Sequence, residues 1–245
     1  MREPMTNRSQ LRPAKWPKQV TPLTAEQVRV SDDWMQYFHE VNRDRFSAVV
    51  DFNHRYVLEH SPIPFLSTLD VGAGLGEHLA REKLSAEQLK EYVALEFRPA
   101  MAAEIQRNWP TVQVSGADCQ QPLPFPDNRF DRIIAIHVLE HLPNLPAFLT
   151  EARRLLNARG RFLVVIPCEG GWGYSAGRRV TSKRMFERRY RTPYGPFIAA
   201  EHVNKAGEIL EELARYFAIE NSEYYPMKVP FIHLNLCIGL TLRGL

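Results

Sequence analysis

LDVGAGLGE, residues 69–77, is the stretch of sequence that decides the fold. It follows an apolar run at residues 65–69 and precedes residues 77–90, which can form a helix. A strand, a glycine turn and a helix in this order present free backbone N–H groups to a ligand. Glycines allow the tight turn and the close approach of the ligand to the backbone. The stretch therefore predicts a ligand-binding turn at the end of a buried strand.

Two acidic residues distinguish this turn from a dinucleotide site. Glu77 stands where a dinucleotide-binding turn would carry a third small residue. Asp70, two residues before Gly72, would repel a diphosphate and attract an ammonium or sulfonium group. The turn therefore favours a cationic ligand.

Three further segments continue the alternation of strands and helices. Residues 91–96 predict a second strand that ends at Glu96, whose carboxylate can accept both hydroxyls of a ribose. Residues 112–114 predict a third strand, which GADC at 116–119 follows, and residues 130–136 predict a fourth. Such alternation predicts a parallel sheet with helices on both faces.

At these motifs the chain resembles the class I S-adenosylmethionine-dependent methyltransferases, in particular their small single-domain members. The resemblance is close over residues 66–167. It implies an α/β fold with a doubly wound, mostly parallel seven-stranded sheet of the Rossmann-like type, whose last strand runs antiparallel. It also implies S-adenosylmethionine as cofactor, S-adenosylhomocysteine as product, and methyl transfer to an O, N or C atom of a small-molecule acceptor.

The resemblance assigns cofactor contacts to individual residues. Asp70 would hold the ammonium group, Glu96 the ribose, and Asp118 the amino group of the adenine. The other contacts expected are made at Gly72, Gly74, Gly76, Cys119 and Ile136. For each acid the alternative is a structural role at a strand end or in a turn.

His137, His141 and His202 are the candidate catalytic residues. His137 follows the fourth strand, at the edge of the sheet where such folds bind ligands, and His141 would share its face of a helix. Histidine can remove a proton near neutral pH, although a Glu-His pair here is common in the family without being catalytic. Some related enzymes bind a divalent ion at this segment, but Glu140 alone is a weak basis for such a site, so no metal is expected.

The remaining segments predict the domain organisation. Residues 1–24 are polar and contain prolines, which predicts a disordered tail, and residues 25–64 predict a helical cover over the cofactor pocket, with a helix cap at Ser31. Residues 65–245 form the expected methyltransferase domain, with a lid insertion at about 168–201. Its later elements are expected to be a helix at 145–156, a turn at 157–160, strands at 161–166, 217–224 and 232–242, and a helix at 203–216.

The lid segment carries a basic cluster that only Glu187 opposes. Its members are Arg178, Arg179, Lys183, Arg184, Arg188, Arg189 and Arg191. Residues 181–190 predict a helix, and the cluster suits an anionic acceptor or an acidic membrane surface. The alternative is a solvated basic face with internal ion pairs. Trp172, Tyr174 and Tyr190 would either line an acceptor pocket or belong to the interior of the lid.

Composition limits the class of protein. A chain of 245 residues suits one large α/β domain, and its net charge of +3 is too small to indicate a nucleic-acid partner. Three scattered cysteines form no C-x-x-C pair, which favours a reducing cytoplasm, and neither a secretory signal nor a transmembrane segment is expected.

The sequence leaves the oligomeric state open. A non-catalytic module with the cofactor fold is the main alternative, and an NAD-type dehydrogenase is disfavoured by Asp70 and Glu77.

Overall fold

Seven strands form one sheet in the computed structural model, which describes residues 15–45 and 47–245. The side chains of residues 38–45 lie outside this description, as do residue 46 and residues 1–14 of the predicted tail. The strands are β1 (Thr68–Val71), β2 (Tyr92–Leu95), β3 (Gln113–Ser115), β4 (Phe130–Ile136), β5 (Leu156–Pro167), β6 (Phe217–Tyr225) and β7 (Cys237–Gly244).

The order of the strands is β3-β2-β1-β4-β5-β7-β6. Every neighbouring pair from β3 to β5 is parallel, and β7 is antiparallel to both β5 and β6. This arrangement confirms the doubly wound, mostly parallel sheet with an antiparallel last strand. The helices of the described residues are α1 (Ala25–Arg45), α2 (Ser47–His60), α3 (Ala86–Lys90), α4 (Pro99–Asn108), α5 (Leu145–Leu155), α6 (Trp172–Val180), α7 (Ser182–Tyr190), α8 (Gly195–Glu201) and α9 (Ala206–Leu213).

Helices cover both faces of the sheet because side chains alternate along each strand. Ile133 of β4 packs into the larger core with α5 and α9, whereas Ile134 packs with α2. The register pairs Ile134 with Asp70 and Asp70 with Ala94, which packs with α4. Helices α2 and α4 therefore share one face of the sheet.

Helix α2 packs closely on the sheet. The side chains of Phe52 and Tyr56 are buried against β4 and β5. Gly239 of β7 makes room for Tyr56, because a Cβ atom at this glycine would lie 2.4 Å from Cγ of the tyrosine. Most of α2 thus belongs to the layer beside the sheet, and its turn at Asn53 reaches the edge where the predicted cofactor site lies.

Helix α1 and the lid form a small second core. The ring of Trp34 on α1 lies 5.3 Å from that of Phe186 on α7 and 6.2 Å from that of Tyr194. Asp33 accepts hydrogen bonds from Arg189 and Tyr190 beside this cluster. The segment predicted to be a lid therefore contacts the N-terminal helix as well as the larger core on the sheet.

Part of the predicted tail contacts the domain. Lys18 donates from its backbone N–H to the carbonyl of Pro143 at 2.8 Å, and its Nζ atom lies 2.7 Å from Glu208. Trp16 packs against the larger core. Residues 15–24 are thus attached at these two side chains, through contacts that join distant parts of the chain.

The segment after the glycine turn differs from the prediction. A helix over residues 77–90 is wrong, because the chain forms a short 3₁₀ turn at Leu79–Arg81 and then α3. Glu77 folds back, and its Oε2 accepts the N–H of Leu75 at 3.0 Å. Ser85 caps α3 in a capping box with Gln88, which starts a separate helix.

Other element ends also differ from the predictions. The predicted cap at Ser31 is wrong, because α1 begins at Ala25 after reciprocal hydrogen bonds between Thr24 and Gln27, and Ser31 instead donates to Glu201. The predicted turn at 157–160 belongs to β5, where a register shift against β4 accommodates it. The helix expected at 203–216 is the shorter α9, and β7 begins only at Cys237, after a 3₁₀ turn.

Candidate active site

The carboxyl ends of β2, β1 and β4 meet at one edge of the sheet. Val71 of β1 pairs with Leu95 of β2 and with Ala135 of β4. The residues that follow these three are therefore brought to the same level: Gly72, Glu96 and Ile136. This edge is where open α/β sheets bind ligands.

The glycine turn has a backbone conformation that side chains rarely adopt. The φ angles of Gly72, Gly74 and Gly76 are +66°, +60° and +83°. A Cβ atom at Gly72 would lie 2.6 Å from Cγ2 of Val138, and one at Gly76 would lie 2.6 Å from the ring of Trp109. Both the turn and its close packing therefore require glycine.

Glu96 joins the end of β2 to the glycine turn. Its Oε2 accepts the N–H of Gly74 at 2.9 Å, and its Oε1 accepts the N–H of Arg98 at 2.8 Å. The residue is buried. Since each carboxylate oxygen has two lone pairs, one acceptor position on each oxygen is left for a ligand hydroxyl.

Asp70 is buried on the face of the sheet covered by α2 and α4. Its Oδ2 accepts a hydrogen bond from the hydroxyl of Tyr92 at 2.7 Å. Burial raises the pKa of Asp70 to about 6, against the opposing influence of His78 and Tyr92. A positive ligand group above the turn would stabilise this carboxylate.

Asp118 and Cys119 follow β3 at the same edge. Oδ1 of Asp118 accepts the N–H of Gln120 at 2.9 Å, which closes a turn. The thiol of Cys119 is buried, and burial raises its pKa to about 12. A thiol with a raised pKa is a poor nucleophile, so the backbone of Cys119 is the part suited to contact a ligand.

His137 stands directly after β4 and is held on both sides of its ring. Its φ angle is +54°, and its N–H donates to the carbonyl of Val165 at 2.8 Å. Nδ2 of Asn53 lies 2.8 Å from Nε2, and Oε1 of Glu140 lies 3.2 Å from Nδ1. With the amide of Asn53 as donor, Nε2 is the acceptor and Nδ1 carries the proton shared with Glu140.

Glu140 is an ionised carboxylate inside the domain. Burial opposes its ionisation, but the hydrogen bond with His137 and the nearby His141 and His202 lower its pKa to about 2. Its Oε2 and the Oδ1 of Asn53 are both buried and find no hydrogen-bond partner in the described part of the chain. Two hydrogen-bond acceptors without a partner therefore flank His137. Buried acceptors of this kind destabilise the folded state unless a ligand or a water molecule donates a hydrogen bond to them.

His141 and His202 lie on the lid side of Glu140. Their rings are perpendicular, with centroids 4.8 Å apart, and Nδ1 of His141 donates to the carbonyl of Glu201 at 2.9 Å. Nδ1 of His202 lies 3.0 Å from Glu169, which also accepts from Arg178 at 2.6 Å. The described residues contain no group of three or more His, Cys, Asp or Glu that could hold a metal ion.

The three aromatic residues of the lid have different surroundings. Tyr174 packs against the larger core near Glu140 and Glu169, and burial raises its pKa well above the usual range. Trp172 is 72% exposed, and Tyr190 belongs to the cluster around Trp34. Of the three, Tyr174 alone lies beside the candidate site.

The sequence did not predict the role of Asn53, which reaches the site from α2. A signal was present, since Asn53 and His54 are consecutive polar residues between the buried aromatics Phe52 and Tyr56. Tyr92, the partner of Asp70, was also missed. Their roles depend on how elements distant in sequence pack together.

Known proteins share this fold and part of this sequence. Residues 69–164 match the family model of a methyltransferase domain. A probable S-adenosylmethionine-dependent methyltransferase of Mycolicibacterium smegmatis is 29% identical over 140 residues, which are 57% of this chain and 48% of that protein. The chain matches less than half the length of the first curated relatives.

Two solved structures are similar over most of the chain. The PH0226 protein of Pyrococcus horikoshii OT3 has a TM-score of 0.61 at 15% identity, covering 86% of this chain and 99% of that one. The 1,6-didemethyltoxoflavin-N1-methyltransferase of Burkholderia thailandensis, solved with 1,6-didemethyltoxoflavin and S-adenosylhomocysteine, has a TM-score of 0.56 at 20% identity and 93% coverage of both chains. At these identities the structures show the fold. The family match adds that residues 69–164 are similar in sequence to a methyltransferase domain.

Proposed function

We propose that the protein binds S-adenosylmethionine at the glycine turn and transfers its methyl group to a small-molecule acceptor, with S-adenosylhomocysteine as product. The main support is one arrangement at the edge of the sheet. Glu96 reaches from β2 to hold the turn of β1 at Gly74, while Asp70 lies buried next to the turn. A turn flanked by two carboxylates suits a ligand with an ammonium group, a sulfonium group and a ribose.

The residues of the edge fit each part of this cofactor. Asp70 would attract the ammonium group, and the free acceptor positions of Glu96 would take the ribose hydroxyls. Asp118 would accept from the adenine amino group. Backbone groups complete the proposed site, at Gly72, Gly74, Gly76, Cys119 and Ile136.

Bound S-adenosylmethionine supplies an electrophilic methyl group, and the displaced sulfur leaves as a thioether. The protein has to align the acceptor and exclude water. Nε2 of His137 would take a proton from an acceptor hydroxyl or amine in place of the contact with Asn53. Ionised Glu140 would stabilise the resulting imidazolium, as a buried carboxylate next to a histidine does. His141 and His202 would line the acceptor side.

The acceptor and the compartment are proposals of the same kind. Exposed arginines of the lid suit an anionic small molecule, whereas the small net charge disfavours nucleic acid. All three cysteines are buried and unpaired, which supports a reducing cytoplasm. None of the helices in the described residues has the length and apolar character needed to cross a membrane.

Calorimetry with S-adenosylmethionine, S-adenosylhomocysteine and NAD tests the cofactor. We expect binding of the first two, and a loss of about 10- to 150-fold in Glu96→Ala, the range for hydrogen bonds to a charged group. Glu104→Ala, which removes a half-buried acid on α4 that pairs with Arg107, is the matched control. Binding of NAD but not S-adenosylmethionine would refute the proposal.

A second binding experiment distinguishes a direct contact between Glu96 and the ribose from the structural role of Glu96 in holding the glycine turn. Adenosine should bind more tightly than 2′,3′-dideoxyadenosine to the wild type, and Glu96→Ala should abolish this preference.

Transfer of an isotopic methyl label from S-adenosylmethionine to a component of a metabolite extract tests turnover. Cofactor binding without any transfer would support the non-catalytic alternative.

A further inference from the structure

An exposed apolar surface surrounds α6 and the loop between β6 and β7. Large apolar side chains that are 42–72% exposed form it: Trp172, Val180, Met227, Val229, Phe231 and Leu234. We call this group the α6 surface. Contiguous exposure of large apolar side chains marks an interaction site, because a monomer normally limits it.

Ring contacts join α6 to the loop of the α6 surface, and hydrogen bonds hold this loop in place. The ring of His233 lies 4.7 Å from that of Trp172 and 5.1 Å from that of Phe231. Asn235 is buried and donates to the carbonyls of Val229 and Phe231, each at 2.9 Å. Its Oδ1 also accepts the N–H of Met227 at 2.9 Å. The loop is therefore held from within while its apolar side chains face outward.

Helix α6 presents its apolar stripe to solvent. Trp172, Ala176, Arg179 and Val180 are all exposed, and their spacing places them on one face of the helix. On the inner side, Tyr174 packs against the larger core and Arg178 pairs with Glu169. This is the reverse of a usual surface helix, which turns its apolar stripe inward.

Basic side chains accompany the apolar ones. Arg179 precedes Val180 of the α6 surface, Lys228 stands between Met227 and Val229, and both basic residues are exposed. Within the basic cluster, Arg178, Lys183 and Arg189 pair with acids, whereas Arg179 makes no ion pair in the described part of the chain. Lys228, which lies outside that cluster, makes none there either. The surface thus combines aromatic and aliphatic side chains with unneutralised positive charge.

We propose that the α6 surface docks the protein onto an anionic lipid membrane. Tryptophan and phenylalanine favour the headgroup region, where their rings contact acyl chains, and cations nearby meet lipid phosphates. The positive charge of Arg179 and Lys228 is complementary to such a membrane. A fluid bilayer can also adapt to the shape of the loop, so no matching partner surface is required. Docking would bring the candidate site close to the membrane, since β7 follows the loop and Sγ of Cys237 lies 4.0 Å from Nε2 of His137.

Co-sedimentation of the full chain with vesicles tests docking. We expect binding to an equimolar mixture of phosphatidylglycerol and phosphatidylcholine, and much weaker binding to phosphatidylcholine alone. Arg179→Ala with Lys228→Ala should weaken binding about 30-fold, since each cation contributes about fivefold. Trp172→Ala with Leu234→Ala should weaken it at least about tenfold. Anionic vesicles should also shift the tryptophan fluorescence of the wild type to shorter wavelength.

Ile63→Ala with Arg159→Ala is the matched control, because both residues are exposed and lie at the opposite edge of the sheet. It should bind vesicles like the wild type. All variants should keep their circular dichroism and their affinity for S-adenosylmethionine, which separates this test from that of the proposed function. Absent vesicle binding, equal loss in the control, or a dimer that Trp172→Ala dissociates without vesicle binding would overturn the proposal.

Discussion

Nδ2 of Asn53 lies 2.8 Å from Nε2 of His137, so helix α2 contributes directly to the surroundings of the candidate catalytic residue. The two residues are 84 positions apart in the sequence. The amide determines which ring nitrogen of His137 is the acceptor, while Glu140 binds the other. The N-terminal helices therefore contribute to the chemistry of the edge as well as to its cover.

Asn53→Ala should lower turnover about tenfold and leave the affinity for S-adenosylmethionine unchanged. The variant removes one hydrogen bond that orients the ring of His137. Its pH–rate profile should change shape, which a purely structural defect would not produce. Arg55→Ala, on the exposed side of the same helix, is the control. An unchanged profile with normal turnover would show that Asn53 does not position the ring.

His137→Ala should lower turnover about 10²- to 10⁴-fold with an acceptor that must lose a proton. Cofactor affinity should change little, because the predicted cofactor contact at this point is to the backbone. Steady-state rates with the acceptor found by isotope transfer, together with calorimetry, provide the measurement. Normal turnover of the variant would remove His137 from the catalytic residues.

Gly72→Ala should destabilise the fold by about 2 kcal/mol and abolish detectable cofactor binding. The φ angle of +66° is unfavourable for alanine, and its Cβ would lie 2.6 Å from Val138. Gly207→Ala is the matched control, because no atom beyond its chain neighbours and the backbone of its own helix lies within 4 Å of its Cβ position in α9. This control should be neutral or stabilise by about 0.5–1 kcal/mol. Denaturant unfolding measures both changes, and equal effects would contradict the role of the turn.

Asp70→Asn should stabilise the protein increasingly as the pH rises. The pKa of Asp70 is raised to about 6 in the folded state, so its contribution to stability is present below its ordinary pKa of 3.8 and is lost as the pH rises through 6. The gain of the variant over the wild type should grow by about 2 kcal/mol between about pH 4.5 and 7.5. Unfolding at both pH values checks this, with exposed Asp51→Asn as a flat control. A gain that shrinks with rising pH would contradict it.

The same substitution should weaken binding of S-adenosylmethionine at pH 7.5, because it removes the charge that attracts the ammonium group. A more stable protein that binds its cofactor less well is the result that a buried functional carboxylate predicts. Calorimetry on the folded variant measures this second effect independently of the first. Unchanged affinity would assign Asp70 a structural role with Tyr92.

The predicted sheet is confirmed at the positions where the sequence pattern also marks the end of a strand. The glycine turn, Glu96 and the strand at Phe130–Ile136 lie at the expected positions relative to one another. Predictions of element ends were less successful. Residues 77–90 have helical propensity, yet the carboxylate of Glu77 turns back to the N–H of Leu75 and Ser85 starts a new helix. Side-chain hydrogen bonds of this kind override propensity over short segments.

By itself the sequence determined the sheet, the glycine turn, the acid within β1 and the acid after β2, because these depend on residues close together in the chain and on the parallel alternation that follows. Only the tertiary structure decided what surrounds His137. Asn53 arrives from α2, and Tyr174 arrives from α6 on the lid side of Glu140. It also decided that α6 turns Trp172 outward. Such contacts are set by the packing of helices onto the sheet, where the burial of many distant side chains outweighs any local pattern.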